Sequence, residues 1–155
     1  MGDSIHGLPK ARVLVVDDNP DNCTLSAMVL RTWGHLVVAA CCGAEALSLL
    51  DEFKPDVVLL DIAMPRMDGY ELARRIRQNP VFAGIQIVAI TGHGLPEARE
   101  LSRQAGIDHH LLKPIDLPEL AQILKNTVRP GSLSTVQTAS LWVRPGSRRG
   151  GPSLN

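Results

Sequence analysis

Short apolar runs alternate with amphipathic segments along most of the chain. The apolar runs lie at 12–16, 36–40, 57–60, 85–90 and 109–112. The amphipathic segments lie at about 20–33, 44–52, 69–78, 96–105 and 117–128. A run such as RVLVV, apolar and β-branched at nearly every position, is typical of a strand that is buried on both faces. The pattern therefore predicts five successive strand–helix units.

The first predicted helix shows how polar and special residues set the ends of these elements. Asn19 followed by Pro20 is a helix-start signal, and Gly34 is a stop signal. Between these two signals, one apolar stripe is formed by Leu25, Met28, Val29 and Trp33. Similar signals separate the other helices from the strands that precede and follow them.

Alternation of strands and helices predicts an α/β fold in which a parallel sheet carries helices on both faces. Five units fit a doubly wound, flavodoxin-like (βα)5 fold with a five-stranded sheet of order 2-1-3-4-5. We place the domain at 11–129, after an N-terminal extension at 1–10. The residues at 130–155 are rich in Gly, Ser, Pro and Arg without periodicity, which predicts a flexible tail.

Composition narrows the classes of function. The 155 residues suit one domain, and the 16 basic and 16 acidic side chains cancel, so the chain has no overall charge that would attract nucleic acid or a membrane. It has no apolar run long enough to span a bilayer, and we expect a cytoplasmic protein. The cysteines Cys23, Cys41 and Cys42 have no CxxC spacing, which favours reduced thiols over a disulfide or a metal site.

Polar side chains that could bind a ligand or take part in a reaction follow four of the five predicted strands. Asp17 and Asp18 follow the first strand, Asp61 the third, Thr91 the fourth and Lys113 the fifth. Any single aspartate has an ordinary alternative role as a helix cap or a solvated loop residue. Ligands of open parallel sheets bind outside the carboxyl ends of the strands. The five residues together therefore predict one shared pocket.

The residue types in this pocket favour metal-assisted phosphoryl transfer. Crowded carboxylates repel one another, and a hard divalent cation relieves that repulsion. Oxygen ligands suit Mg²⁺ better than zinc, so we expect Mg²⁺ to be held by Asp18, Asp61 and a backbone carbonyl near Ala63. Asp61 is the predicted nucleophile, which would become an aspartyl phosphate. Lys113 and the Thr91 hydroxyl are expected to hold phosphoryl oxygens.

The segments VLVVDDN, VVLLDIAMPRMDG, IVAITG and HLLKPID closely resemble the receiver domains of bacterial two-component response regulators. The resemblance extends over about 11–128. It implies that Asp17 supports the metal through water, that Asp18 binds it directly and that Asp61 is the phosphorylation site. It also implies a cis peptide bond between Lys113 and Pro114.

The same resemblance implies the partners of the domain. The phosphodonor would be a histidine kinase or a histidine phosphotransfer protein, and the output a downstream protein target. Activation would move Thr91 toward the phosphate and change the surface of the fourth helix, fifth strand and fifth helix. We expect a monomer or weak homodimer that does not itself bind nucleic acid or a membrane. It could be free-standing or part of a hybrid sensor kinase.

Four residues depart from the usual receiver pattern. His110 stands where many members carry a switch aromatic, and it is either a smaller, titratable switch residue or an ordinary half-exposed strand histidine. Ala63 and His93 occupy positions that border the phosphoryl group, and Ala63 cannot orient a water by hydrogen bonding. Gly92 leaves space beside Thr91. These differences predict an unusual lifetime of the aspartyl phosphate, but they do not indicate whether it is longer or shorter than in other receivers.

Two other classes of function fit less well. A Mg²⁺-dependent phosphatase of the haloacid dehalogenase type has two carboxylates two residues apart, whereas Asp61 is followed by Ile62 and Ala63. A nucleotide-binding module would carry GxGxxG or GxxxxGK[ST], and neither motif occurs. We therefore expect a signalling domain that catalyses only its own phosphorylation and dephosphorylation.

Overall fold

Strands and helices alternate in the computed structural model, which describes residues 10–62, 68–92 and 96–127. The strands are β1 (Arg12–Val16), β2 (Leu36–Ala40), β3 (Val57–Asp61), β4 (Gln86–Thr91) and β5 (His109–Leu112). The helices are α1 (Pro20–Thr32), α2 (Gly43–Phe53), α3 (Gly69–Gln78), α4 (Pro96–Gln104) and α5 (Leu117–Thr127). A short 3₁₀ turn (Pro80–Phe82) precedes β4.

The five strands form one parallel sheet in the order β2-β1-β3-β4-β5. This confirms the predicted doubly wound α/β fold. All five residues of β3 are buried, as expected for a central strand that is covered on both faces. The predicted tail at 130–155 and the extension before residue 10 lie outside the described residues, so those domain boundaries stay predictions.

Each face of the sheet carries its own apolar core. Alternate residues of β1 point to opposite faces, so Val13 and Val15 belong to one cluster while Leu14 and Val16 belong to the other. The first cluster packs under α1 and α5, and the second under α2, α3 and the end of α4. Within the described residues both faces of the sheet are therefore covered by helices, which leaves the ends of the strands as the place for a functional site.

Helix α1 packs on the sheet through a face that its predicted apolar stripe indicated only in part. The residues that it buries are Cys23, Ala27 and Leu30. Leu25 and Met28, which belong to the stripe, are 61% and 58% exposed, and at 100° per residue they lie on the opposite side of the helix. Trp33, at the end of the stripe, is partly buried against the core. The predicted stripe is therefore confirmed at Trp33 and wrong at Leu25 and Met28.

Arg77 connects several elements near the amino-terminal end of β4, away from the carboxyl ends of the strands. Arg77 on α3 donates from Nε to the Gly106 carbonyl at 2.9 Å and from its guanidinium to Asp108 Oδ2 at 2.7 Å. The same Asp108 oxygen accepts the backbone N–H of Ile87 at 2.8 Å. Gly106 has φ +87°, a conformation that favours glycine. These bonds join α3, the turn after α4 and the start of β4.

Candidate functional site

Three carboxylates converge where β1 and β3 end. Asp17 and Asp18 follow β1 directly, and Asp61 is the last residue of its neighbour β3. One oxygen from each carboxylate lies within 4.8 Å of the others. Asp17 and Asp61 are 9% and 5% exposed, whereas Asp18 is exposed. Asp17 Oδ1 also accepts the Asn19 N–H at 2.9 Å, which holds the carboxylate in place at the start of α1.

Lys113 reaches Asp61 from the end of β5, and Thr91 lies at the end of β4, the strand between β3 and β5. Lys113 Nζ lies 3.5 Å from Asp61 Oδ1, and the lysine side chain is 41% exposed. The Lys113 backbone N–H donates to the Thr91 carbonyl at 2.8 Å, which fixes the end of β5 beside β4. Thr91 is buried at the end of β4. The predicted cis peptide bond between Lys113 and Pro114 is confirmed.

The pocket around these residues fits a hard divalent cation. Its volume is about 350 Å³, and its polar lining includes Asp17, Asp61 and Lys113. The three clustered carboxylates offer oxygen ligands, which Mg²⁺ and Ca²⁺ prefer and which zinc uses less than nitrogen and sulfur. The nearby Cys23 thiol donates to the Asp17 carbonyl at 3.2 Å, so its sulfur is already engaged. The three carboxylates could therefore hold a hard divalent cation, and the choice of Mg²⁺ stays a prediction.

The predicted residues beside the phosphoryl position are only partly within the described chain. Ala63 and His93 lie outside the described residues. A methyl group added at Gly92 would meet no described atom within 4 Å. The predicted space beside the phosphate stays a prediction, because the next residues, 93–95, lie outside the described residues.

His110 lies in a second cavity and not in the acidic pocket. This cavity, of about 400 Å³, lies between α4, β5 and α5, and its lining includes Arg99, Ser102 and His110. Both ring nitrogens of His110 and the Ser102 hydroxyl are buried without a hydrogen-bond partner among the described residues. Burial, with the nearby Arg99 charge, lowers the pKa of His110. The ring is thus held neutral, and its role as a switch stays a prediction.

The sequence analysis missed the contribution of α1 to the acidic pocket. Asn22, Leu25 and Ser26 line it together with Ile115 from the segment after β5. In the sequence, the signal for this contribution of α1 was position alone, because the first turns of a helix that directly follows a strand must lie over the carboxyl end of that strand.

The first turn of α1 also contains Cys23. Burial, followed by interactions with Cys41 and Asp17, raises the pKa of the Cys23 thiol to about 11.

Fold and site together define a class of protein. A doubly wound α/β domain with an acidic cluster, a lysine and a buried threonine at the carboxyl ends of its strands is typical of phospho-accepting signalling domains. The family model for the response regulator receiver domain matches residues 13–125. The chain belongs to this family and is a receiver of phosphorelay signalling.

Similar proteins include receivers in several contexts. The sensor histidine kinase RcsC of Salmonella typhi is 39% identical over 112 residues, which are 72% of this chain and 12% of the kinase. The chemotaxis protein CheY4 of Vibrio cholerae has a TM-score of 0.73 at 28% identity, over 77% of this chain and 100% of that one. The receiver domain of Ssk1 from Saccharomyces cerevisiae, solved with the histidine phosphotransfer protein Ypd1, has a TM-score of 0.67 at 27% identity, over 74% and 86% of the chains.

None of these comparisons supports the phosphatase alternative. No helix within the described residues is long and apolar enough to cross a bilayer.

Proposed function

We propose that Asp61 is the phosphoacceptor of this receiver domain and that the reaction depends on Mg²⁺. The observation that carries the proposal is the position of Asp61, a nearly buried carboxylate between two further carboxylates and a lysine ammonium. A carboxylate oxygen held in this way is a suitable nucleophile for a phosphoryl group, because the lysine ammonium and a cation held by the carboxylates would balance the negative charge of the incoming oxygens.

Each neighbouring residue has a distinct proposed task. Asp18 and Asp61, with the backbone carbonyl of Ala63, would hold Mg²⁺ directly, and Asp17 would support it through water. The bound ion supplies positive charge for the phosphoryl oxygens. Lys113, 3.5 Å from Asp61, is placed to hold a phosphoryl oxygen as a point charge. Thr91 would donate its hydroxyl to another oxygen, and its tie to Lys113 would pass the change to β5.

The surface next to the pocket supports a protein phosphodonor. Leu25 lines the acidic pocket and also an adjoining apolar cavity of about 170 Å³, which Ile115, Leu117 and others complete. Leu25 and Leu117 are 61% and 43% exposed, and Met28 lies on the same outer side of α1. Exposed apolar groups that border a reactive pocket favour docking of another protein. We propose that the histidine kinase or phosphotransfer protein binds here.

Stoichiometric labelling tests the acceptor. Incubation of the protein with acetyl phosphate and Mg²⁺ should add one phosphoryl group, measured by intact mass, and omission of Mg²⁺ should prevent the addition. Asp61→Asn should abolish labelling, whereas the exposed Asp51→Asn on α2 should label as wild type does. Equal labelling of Asp61→Asn and wild type would show that Asp61 is not the acceptor. Release of phosphate over many cycles per protein would instead indicate a phosphatase.

A second experiment separates donor docking from phosphoryl chemistry. Leu25→Asp should slow phosphotransfer from a histidine phosphotransfer protein that phosphorylates the wild-type chain, but leave labelling by acetyl phosphate unchanged. Val81→Asp is the matched control, because Val81 is 79% exposed and precedes β4 at the opposite end of the sheet. If both variants slow protein-mediated transfer equally, α1 is not the docking surface.

The output surface and the remaining properties are proposed on the family resemblance. Phosphorylation of Asp61 would change the surface of α4, β5 and α5, which contains His110, for a downstream protein target. The domain would catalyse only its own phosphorylation and dephosphorylation. Its monomeric or weakly dimeric state and its cytoplasmic location stay predictions.

A further inference from the structure

The cavity between α4, β5 and α5 holds polar groups that have no partner. It measures about 400 Å³, and the described residues that line it are all different from those that line the acidic pocket. The Ser102 hydroxyl and both ring nitrogens of His110 are buried and make no hydrogen bond within the described residues. Ser102 is only 3% exposed. Buried polar groups are nearly always hydrogen-bonded, so these groups point to a ligand that the cavity receives.

Arg99 supplies positive charge to the same cavity. It lies on α4 three residues before Ser102, so the two side chains share one face of the helix. Its guanidinium makes no ion pair with a described acidic group, whereas Arg103, which also lines the cavity, is bonded to Glu100. Arg99 is therefore available to an anion that enters the cavity.

The other charged and titratable groups of the lining restrict where an anion fits. Asp108 is balanced by Arg77, whose guanidinium lies 2.7 Å from Asp108 Oδ2. Glu119 on α5 makes no ion pair with a described basic group, and His109 adds a second imidazole. An anion is thus favoured on the side of α4, where Arg99 lies, and disfavoured next to Glu119.

The number and spread of the donors suit a phosphate group. A guanidinium carries five N–H donors, a serine one O–H and an imidazole at least one N–H. Donors from three side chains on α4 and β5 match an ion with several oxygens in a tetrahedron better than a carboxylate, which has two oxygens in one plane. Solvent does not reach the ring nitrogens of His110 in the free protein, so the ring must turn toward the ligand. No hydrogen bond to a described residue opposes that turn.

We propose that this cavity binds a phosphate group, of free phosphate or of a small phosphate ester, through Arg99, Ser102 and His110. The Arg99 fork pairs with two oxygens of the phosphate, and the serine hydroxyl and the imidazole donate to the others. Binding gives the hydroxyl and the imidazole the partners that they lack in the free protein. The site needs no metal and does not depend on the acceptor role of Asp61.

A phosphate titration without Mg²⁺ locates the site. The protein is titrated with sodium phosphate at constant pH and ionic strength, and its amide and imidazole resonances are followed by NMR. Saturable shifts should appear at Ser102 and His110 and not at Asp17 and Asp61. Shifts centred on the acidic pocket, or shifts that grow without saturation and so indicate an adventitious ion only, would overturn the proposal.

A second titration with glycerol phosphate identifies the source of the phosphate group. Saturation by both ligands, or by one of them, supports the site and shows whether it takes free phosphate, an ester or either. Saturation by neither ligand would refute the site, and the labelling of Asp61 by acetyl phosphate would be unaffected by that result.

Charge variants separate this cavity from general attraction of anions. Arg99→Gln should weaken phosphate binding at least about tenfold, the effect of losing a hydrogen bond to a charged group. Arg74→Gln is the matched control, because it removes the same charge from an exposed position on α3 and should bind as wild type does. An equal loss in both variants would overturn the site. Glu119→Gln should tighten binding, and weaker binding would show that the ligand is not an anion held on the side of α4.

Ser102→Ala tests the buried hydroxyl without risk to the fold. Because this hydroxyl has no partner among the described residues, its removal should leave the urea midpoint of unfolding unchanged or raise it. Phosphate binding should nevertheless weaken about fivefold, since one donor to the ligand is lost. A lower midpoint would show that the hydroxyl already has a partner in the free protein, and unchanged binding would show that it does not contact the ligand. Either result would contradict the proposal.

Discussion

The closest backbone approach at the acceptor site predicts that Gly69→Ala will damage both stability and phosphorylation. Gly69 begins α3, and its N–H donates to the Ile62 carbonyl at 2.9 Å. A methyl group at this position would lie 2.7 Å from Ile62 Cα and 2.9 Å from the Asp61 carbonyl oxygen. Both are backbone atoms at the end of β3, so they cannot move aside as a flexible side chain could.

The size of the effect follows from the displacement that these contacts require. Ordinary contact needs a separation of about 3.4 Å, so the backbone must shift by about half an ångström or more. Overpacking costs about 1–3 kcal/mol, and contacts this short belong to the upper half of that range, about 2–3 kcal/mol. Alanine's helix propensity returns at most about 1 kcal/mol, so the net loss of stability is at least about 1–2 kcal/mol. Since a misplacement of about 1 Å can slow a reaction about 100-fold, we expect roughly tenfold slower phosphorylation.

Urea unfolding and the initial rate of labelling by acetyl phosphate measure the two effects. With the denaturant dependence usual for a small domain, the midpoint of unfolding should fall by about 1 M urea. Gly84→Ala is the control, because a methyl group there meets no described atom within 4 Å. It should leave the rate unchanged and stabilise the protein by at most about 1 kcal/mol. If Gly69→Ala retains the wild-type midpoint and rate, the close approach does not position Asp61.

Three further predictions concern charge, backbone conformation and pH. Lys113→Met removes the ammonium that lies 3.5 Å from Asp61 and should slow labelling by acetyl phosphate about 100-fold, with little change in the urea midpoint. An unchanged rate of labelling would exclude a role for Lys113 in holding a phosphoryl oxygen. Gly106→Ala forces a side chain at φ +87° into Arg77 Cγ, 2.6 Å away, and should cost at least about 1–2 kcal/mol by urea unfolding. Burial lowers the pKa of His110, so the unfolded chain binds a proton at this residue more readily than the folded chain does. The free energy of unfolding should therefore fall as the pH drops below about 6.5. His110→Gln should weaken this pH dependence, and a variant with the same pH profile as the wild type would contradict the explanation.

The sequence predicted the strands well because they depend on local pattern, and it predicted the clustering of Asp17, Asp18 and Asp61 because these residues follow neighbouring strands. The bounds of β1, β2, β5 and α3 agree with the predicted ones, and the other elements differ by about one residue. Strand β3 extends through Asp61 since pairing with Ile90 continues to that point, which no local pattern reveals. The three aspartates and Lys113 converge because the carboxyl ends of parallel strands lie at the same end of the sheet.

Contacts between separate segments were not predictable in the same way. The cavity around His110 depends on how far α4 stands from α5, which is set by packing and not by the sequence of either helix. A single sequence contains the residues of such sites but not the distances between them.

Helix α1 shows why an apolar stripe alone cannot identify the core face of a helix. A stripe that docks on a partner has the same 3.6-residue period as one that packs on the sheet. In α1 apolar side chains lie on opposite sides, since Leu30 is fully buried against the sheet whereas Leu25 and Met28 are exposed. Leu25 borders the pocket that a phosphodonor must reach, and exposed apolar side chains beside a reactive pocket favour docking of another protein. The exposure of Leu25 and Met28, which the apolar pattern alone did not predict, therefore supports the proposal that the donor binds on α1.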